Sequence, residues 1–122
     1  MTSLLIVDDS RAARMMMKHF VKAIWPDYTI MEAGNAEEAL QVAVKLTADD
    51  YAILDYNMPG LTGVELATRL LAKLEANRIA LVTANIQTAV RERAKELGLH
   101  YMTKPINPAK IKSLLGQMES SA

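Results

Sequence analysis

The stretch Ile53-Leu54-Asp55-Tyr56-Asn57-Met58-Pro59-Gly60 decides how this chain folds, because a short apolar run stops at one carboxylate and passes into a Met-Pro-Gly loop. A continuous apolar run of this length is typical of a strand that is buried on both faces of a parallel sheet. Proline and glycine then mark the loop that follows. Asp55 is therefore predicted at the carboxyl edge of a sheet, where α/β proteins bind their ligands.

Three further apolar runs of strand length also end at residues that can carry chemistry. They are residues 4–7 before Asp8 and Asp9, residues 79–82 before Thr83, and residues 100–103 before Lys104 and Pro105. Residues 28–33 alternate more between apolar and polar side chains, which is typical of an edge strand. With residues 51–54, the sequence predicts five strands.

Helix signals separate these strands. Side chains that can accept a hydrogen bond from a free first-turn amide stand before four of the predicted helices. These caps are Ser10, Asn35, Thr62 and Asn107, with Glu38 and Glu65 completing two of them and Pro108 opening the last helix. The predicted ends are Trp25-Pro26-Asp27 for the first helix, Leu46 for the second, about Leu74 for the third and Gly98 for the fourth.

Apolar residues recur at helical spacing in the first and last helices. The inward faces are predicted at Ala13, Met16, Met17, Phe20, Val21 and Ile24, and at Ile111, Leu114, Leu115 and Met118. The eight methionines are mostly expected to fill the core, with Met15 as an exposed contact for a partner. The tail from Glu119 is expected to bury nothing.

Five strands that alternate with helices predict an α/β fold, a doubly wound parallel sheet in the flavodoxin-like order 2-1-3-4-5. Residues 1–122 are expected to form one domain, since no repeat or linker interrupts the pattern. In this order strands one, three, four and five are neighbours. The residues that follow them should meet at one edge of the sheet, namely Asp8, Asp9, Asp55, Thr83 and Lys104.

Composition excludes several classes of function. The chain has no cysteine, which excludes disulfides and thiolate chemistry and favours a cytoplasmic location. Fourteen basic residues balance fourteen acidic ones without a basic run, so nothing indicates nucleic-acid binding. The apolar runs are too short to span a membrane, and no signal peptide is indicated.

The predicted cluster has a chemical logic. Three crowded carboxylates repel one another, and a hard divalent cation such as Mg²⁺ relieves the repulsion. Asp8 and Asp9 are the predicted metal anchors. Asp55 can act as a nucleophile toward phosphorus, with Lys104 and Thr83 stabilising the transferring group. Each of these residues alone is an ordinary strand-end side chain; their combination at four strand ends favours this function.

Together these motifs resemble a response-regulator receiver domain of the CheY-like, single-domain type, and the resemblance covers essentially the whole chain. It implies a phosphorylation-activated signalling protein rather than an enzyme, with Mg²⁺ as cofactor. It also implies a sensor histidine kinase or histidine phosphotransfer protein as the phosphoryl donor. The implied roles are Asp55 as phosphoacceptor, Asp8, Asp9 and Asp55 as metal ligands, Asn57 as a metal ligand through its backbone carbonyl, Thr83 and Tyr101 as switch residues, Lys104 as partner of the phosphoryl group, and Pro105 in a cis peptide.

The resemblance further implies a protein target on the face formed by the fourth helix, fifth strand and fifth helix, with no membrane or direct nucleic-acid partner. Tyr101 can equally be read as a half-buried strand aromatic. His19 and His100 are expected at the surface. Candidate contacts on the output face are Arg91, Lys95, His100, Met102, Ile106, Lys110 and Lys112.

Two departures from the family pattern, Ala36 in place of a frequent glycine and the lack of a proline before the fourth strand, do not touch the chemistry. Asn57 and Asn85 stand where water approaches the phosphoryl group, and they leave the lifetime of the phosphorylated state open.

Three alternatives remain at the level of sequence. A Mg²⁺-dependent phosphohydrolase would use Asp55 in turnover, although the chain has no insertion to bind a substrate. A degenerate receiver would lack one of the acidic or lysine residues, all of which are present. The chain can also be the receiver part of a longer response regulator, although Met1 and the short polar tail favour a stand-alone protein.

Overall fold

A five-stranded parallel sheet forms the centre of the protein, with the strand order β2-β1-β3-β4-β5. The structure is a computed structural model that describes residues 2–84 and 88–121. The strands are β1 (Ser3–Val7), β2 (Thr29–Ala33), β3 (Tyr51–Asp55), β4 (Ile79–Thr83) and β5 (His100–Thr103). The predicted doubly wound fold and its strand order are thus confirmed.

Five α-helices connect the strands. They are α1 (Arg11–Ile24), α2 (Ala36–Ala43), α3 (Gly63–Leu70), α4 (Thr88–Leu97) and α5 (Pro108–Ser121), and a 3₁₀ turn (Ala76–Arg78) precedes β4. The predicted caps form: the side chains of Ser10, Asn35, Thr62 and Asn107 each accept a hydrogen bond from an amide three residues later. No helix within the described ranges combines the length and apolarity that a bilayer crossing requires.

The helices cover both faces of the sheet and create two cores. Leu5, Leu54 and Leu81 point toward α2, α3 and α4. Ile6 and Ile53 point the other way, toward α1 and α5. Because neighbouring residues of a strand face opposite sides, burial of both faces explains why these strands are continuously apolar.

Two helices end earlier than their apolar spacing predicts. α2 stops at Ala43 rather than Leu46, and α3 stops at Leu70 rather than near Leu74. The Lys73 ammonium donates hydrogen bonds to the carbonyls of Ala43 at 2.9 Å, Val44 at 3.0 Å and Leu46 at 3.3 Å. A side chain from the turn after α3 therefore satisfies the last carbonyl of α2 and two carbonyls just beyond it, which need no further helical turn.

Other expectations about burial are wrong for individual side chains. Met16, predicted to face inward, is 49% exposed, whereas Met102, predicted at the surface, is buried. Among the methionines that the structure describes, Met17, Met102 and Met118 are buried, and Met31 and Met58 pack against the core, so most of them fill the core as predicted. Met15 is 62% exposed, in agreement with its prediction.

The chain end and the two histidines also differ in part from expectation. His19 is exposed as predicted, but His100 is half-buried, and its Nε2 lies 3.1 Å from both the Asn77 carbonyl and the Ser121 hydroxyl. The tail is exposed but helical through Ser121, and Glu119 accepts a hydrogen bond from the Trp25 indole at 2.8 Å. These contacts join the end of α5 to β5 and to the end of α1.

Gly63 allows α3 to begin directly against the end of β3. A β-carbon at this position would lie 2.5 Å from the Asp55 carbonyl oxygen and 2.9 Å from the Tyr56 Cα. Both are backbone atoms, which cannot turn aside as a flexible side chain can. The absence of a side chain at Gly63 therefore keeps the loop after Asp55 in place.

Gly63→Ala is expected to lower the free energy of unfolding by about 1–3 kcal/mol, the usual cost of overpacking a tight site. Gly116→Ala is the matched control, since nothing lies within 4 Å of a β-carbon there, and alanine in α5 should stabilise the protein by about 0.5–1 kcal/mol. Urea unfolding followed by circular dichroism measures both. Equal stability of the two variants would contradict the close-approach argument.

Candidate functional site

Four strand ends place polar side chains at one edge of the sheet. Asp8 follows β1, Asp55 ends β3, Thr83 ends β4 and Lys104 follows β5. Asp8, Asp55 and Thr83 are buried, while Asp9 is exposed. Carboxylate oxygens of Asp8, Asp9 and Asp55 lie within 4.8 Å of one another. The fold thus gathers the residues that the sequence predicts to cluster.

The Lys104 ammonium lies between the two buried carboxylates. Its Nζ is 3.2 Å from Asp8 Oδ2 and 3.4 Å from Asp55 Oδ1. Asp55 Oδ1 is buried and has no well-aligned hydrogen bond among the described residues, and its contact with Lys104 is a 3.4 Å ion pair. Asp55 therefore presents an incompletely satisfied oxygen inside the pocket.

Burial and charge both change the titration of this pocket. Burial raises the pKa of the Asp55 carboxyl above its ordinary value, the nearby Asp8 carboxylate raises it further, and Lys104 lowers it in part. For Lys104, burial lowers the pKa, but the attraction of Asp55 and Asp8 outweighs it, and the pKa is raised. Lys104 thus stays charged at neutral pH, whereas ionised Asp55 is held in an unfavourable environment.

The donor set fits a hard divalent cation. Three carboxylates share the pocket with one ammonium, which leaves a net negative charge, and Asp55 Oδ1, which lacks a hydrogen bond, is buried within it. Oxygen ligands of this kind suit Mg²⁺. Asn57 lies in the exposed loop two residues after Asp55, as its predicted role as a backbone ligand requires.

A cavity of about 400 Å³ opens beside the charged groups, between α1 and the loop after β5. Its lining is mostly apolar and includes Ala13, Met16 and Ile106 together with Asp55 and Lys104. The Lys104–Pro105 peptide bond that borders it is cis. The cavity leaves open space directly beside the Asp55 carboxylate.

Tyr101 lies half-buried in β5, on the face formed with α4 and α5. A groove of about 370 Å³ runs beside it and includes Arg91, Thr103 and Lys110 in its lining. Lys110 is half-buried because its ammonium donates to the carbonyls of Thr103 at 3.0 Å and Pro105 at 3.1 Å.

The residues predicted to form the output face differ in exposure. Arg91, Lys95 and Lys112 are exposed as predicted, Ile106 and His100 are half-buried, and Met102 is in the core. Asn85 lies outside the described residues.

Arg14 contacts the site but is not among the site residues that the sequence predicts. Arg14 Nη1 donates to the backbone carbonyl of Asp8 at 2.5 Å. The contact joins α1 to the acidic turn, and no periodic pattern in the sequence predicts it.

The chain matches the response regulator receiver domain family over residues 4–116 and belongs to that family. It is a receiver domain of two-component response regulators. Phosphorylation on aspartate and binding of Mg²⁺ at an acidic pocket are general features of the family. Histidine kinases or phosphotransfer proteins phosphorylate its members.

Two curated relatives match most of this chain. It is 33% identical over 115 residues to the cyclic di-GMP phosphodiesterase response regulator RpfG of Xanthomonas campestris, an alignment that covers 91% of this chain and 30% of that protein. It is 29% identical over 110 residues to sporulation initiation phosphotransferase F of Bacillus subtilis, with 89% and 86% covered. The chain spans less than half the length of RpfG and of the B. subtilis regulator ResD, 30% and 45% respectively.

Solved receiver structures share the fold. The Vibrio cholerae chemotaxis protein CheY4 matches with a TM-score of 0.80 at 27% identity, covering 97% of this chain and 98% of that one. The Thermotoga maritima response regulator TrrA, solved in complex with Mg²⁺-BeF, matches with a TM-score of 0.78 at 29% identity, covering 97% and 99%.

Asp55→Asn is expected to raise the melting temperature by a few degrees at pH 7 without divalent cations. Because folding raises the pKa of Asp55, the protonated form is favoured in the folded state, and this stability is lost as pH rises through the folded pKa. Removing the charge should therefore stabilise the protein at pH 7, and the difference should vanish below the ordinary aspartate pKa of about 3.9.

Asp27→Asn, at an exposed site remote from the pocket, is the control and should change the melting temperature little. Differential scanning calorimetry in EDTA across this pH range measures the effect. A melting temperature of Asp55→Asn at or below that of the wild type at pH 7 would contradict the charge argument.

Proposed function

We propose that this receiver accepts a phosphoryl group on Asp55 in the presence of Mg²⁺ and thereby changes the face formed by α4, β5 and α5, which binds a protein target. One observation carries the proposal: a buried carboxylate with an unsatisfied oxygen lies 3.4 Å from a lysine ammonium and within 4.8 Å of two other carboxylates. This arrangement suits a nucleophile that must hold a doubly charged group.

The proposed reaction is a direct displacement at phosphorus. An Asp55 oxygen forms a bond to the phosphorus of a donor phosphohistidine, the P–N bond breaks, and the imidazole leaves with the electron pair. Lys104, already beside this oxygen, stabilises the negative charge on the transferring group. The residues that would hold Mg²⁺ are Asp8, Asp9, Asp55 and the backbone carbonyl of Asn57. When bound, the ion neutralises charge on the carboxylates and the phosphoryl oxygens.

The proposed switch uses Thr83 and Tyr101. Thr83 is fully buried at the end of β4, the strand next to β3, so a small movement toward Asp55 changes packing rather than solvent contacts. Tyr101 pairs in register with Leu81 on β4, and it is half-buried, so an inward turn would bury the part of the ring that is now exposed. Coupling between Thr83 and Tyr101 through β4 and β5 transmits the effect of phosphorylation to the face formed by α4, β5 and α5.

The proposed donor is a sensor histidine kinase or a histidine phosphotransfer protein. The apolar cavity beside Asp55, with exposed Met15 and Met16 on the adjoining helix, supports contact with a protein donor. We place this protein in the cytoplasm, without a membrane or direct nucleic-acid partner, because it carries no cysteine and balanced charge.

We further propose that residues 1–122 act as one receiver domain. The same chemistry serves a stand-alone regulator and a receiver joined to an output domain. The second arrangement is supported by RpfG and ResD, in which the matched region is 30% and 45% of the protein.

Intact mass spectrometry after incubation with acetyl phosphate and Mg²⁺ tests the central claim. We expect one added phosphoryl group, and none with EDTA or in Asp55→Asn. Asp9→Asn, which removes a proposed ligand but not the acceptor, should need a higher Mg²⁺ concentration. Free phosphate without an adduct would support a phosphohydrolase instead, and neither product would indicate an inactive receiver.

Lys104→Ala is expected to be phosphorylated more slowly but no longer to transmit the change to Tyr101. Amide hydrogen exchange of residues 100–103, with and without phosphorylation, measures the transmission. Lys112→Ala, exposed on α5, is the control and should behave as the wild type. If phosphorylated Lys104→Ala still changes exchange at these residues as the wild type does, the coupling role of Lys104 is wrong.

A further inference from the structure

Arg14 joins three parts of the fold at the acidic pocket. It lies in α1, yet its side chain is only 17% exposed. Nη1 donates to the backbone carbonyl of Asp8 at 2.5 Å, and Nε donates to Glu32 Oε1, on β2, at 3.3 Å. A mostly buried guanidinium that bonds a main-chain atom of a carboxylate-bearing turn acts on the shape of that turn.

The turn at Asp8 is held from several directions. The Asp8 amide donates to the Ala33 carbonyl at 3.2 Å, and Asp8 Oδ1 accepts from the Ser10 amide at 2.8 Å. Arg14 adds the bond to the carbonyl between Asp8 and Asp9. Since that peptide links the two residues, Arg14 restrains the backbone that carries both carboxylates.

Glu32 in turn orients the guanidinium. It pairs in register with Ile6 on β1, and its two carboxylate oxygens contact Arg14 and, at 3.7 Å, Lys18. Gly34 leaves the space that the guanidinium needs, since a β-carbon there would lie 3.3 Å from Arg14 Nη1. The contacts therefore run from β2 through Arg14 to the acidic turn.

We propose that Arg14 is a positioning residue for the metal site, holding the peptide between Asp8 and Asp9 so that both carboxylates face a bound divalent cation. The inference rests on the proposed function, because it concerns the same site. Arg14 itself does not touch the metal or the phosphoryl group. It acts through the backbone of Asp8, as hydrogen-bond partners of metal ligands do elsewhere.

The proposal predicts the opposite sign from a simple charge effect. Removing a cation near an acidic site makes the site more negative, which by Coulomb attraction should strengthen Mg²⁺ binding. Loss of positioning should weaken it instead. The direction of the change in affinity therefore separates the two explanations.

Isothermal titration of the full chain with Mg²⁺ is the test. For Arg14→Gln we expect roughly tenfold weaker binding, the usual size of such effects. Arg14→Lys keeps the charge but loses the forked guanidinium that donates to both the Asp8 carbonyl and Glu32. Its affinity for Mg²⁺ should therefore fall by a smaller factor than that of Arg14→Gln. Lys18→Ala is the control: it loses a Glu32 contact but none to Asp8, and its affinity should stay within twofold of the wild type.

A second readout separates positioning from general damage. In phosphorylation by acetyl phosphate, the Mg²⁺ concentration for half-maximal rate should rise in Arg14→Gln, while the rate at saturating Mg²⁺ stays close to that of the wild type. Weakening by less than threefold in Arg14→Gln, or an equal loss in Lys18→Ala, would overturn the proposal. If Arg14→Gln does not fold, unchanged affinity in Arg14→Lys would overturn it.

Failure of this inference is distinguishable from failure of the proposed function. If the wild-type chain binds Mg²⁺ and gains a phosphoryl group, and the Arg14 variants bind Mg²⁺ with the same affinity, only the positioning role is wrong. A wild-type chain that binds no Mg²⁺ removes the proposed function, and the positioning role with it.

Discussion

The placement of the Lys104 ammonium between the buried carboxylates of Asp8 and Asp55 is the constraint on which the site depends. Buried like charges repel each other strongly, and without a cation one carboxyl would protonate. Lys104 offsets part of that repulsion but leaves the pKa of Asp55 raised and one of its oxygens without a hydrogen bond. The protein thus folds with this pocket buried, while the pocket keeps an excess of negative charge and an oxygen without a hydrogen bond. Both features favour binding of a cation, and of a phosphoryl group with it.

The rest of the fold serves this arrangement. Parallel strands end at the same edge, so residues far apart in the chain meet: Asp8 and Lys104 are 96 positions apart. The apolar strands have a core on each face, which holds their ends in register. Gly63 brings α3 against the end of β3, and Arg14 ties α1 to the turn at Asp8. Each charged group of the pocket therefore lies at the end of a strand or directly after one.

Much of this was predictable from residue patterns. Strand order, helix caps and the clustering of five site residues follow from apolar runs, capping residues and the rules for parallel sheets. The misses have a common cause. The early end of α2 involves Lys73, whose hydrogen bonds reach carbonyls 27 to 30 positions away. Met16 and Met102 were misassigned because helical or strand spacing does not show which side a neighbouring element covers.

The sequence by itself determined the alternation of strands and helices and which residues follow each strand, because apolar periodicity and capping act over a few neighbouring residues. The tertiary structure alone decided the distances among Asp8, Asp55 and Lys104. It also decided that Asp55 Oδ1 lacks a hydrogen bond and that Arg14 contacts the Asp8 carbonyl. These depend on long side chains that cross between elements, and their partners are set by packing rather than by spacing along the chain.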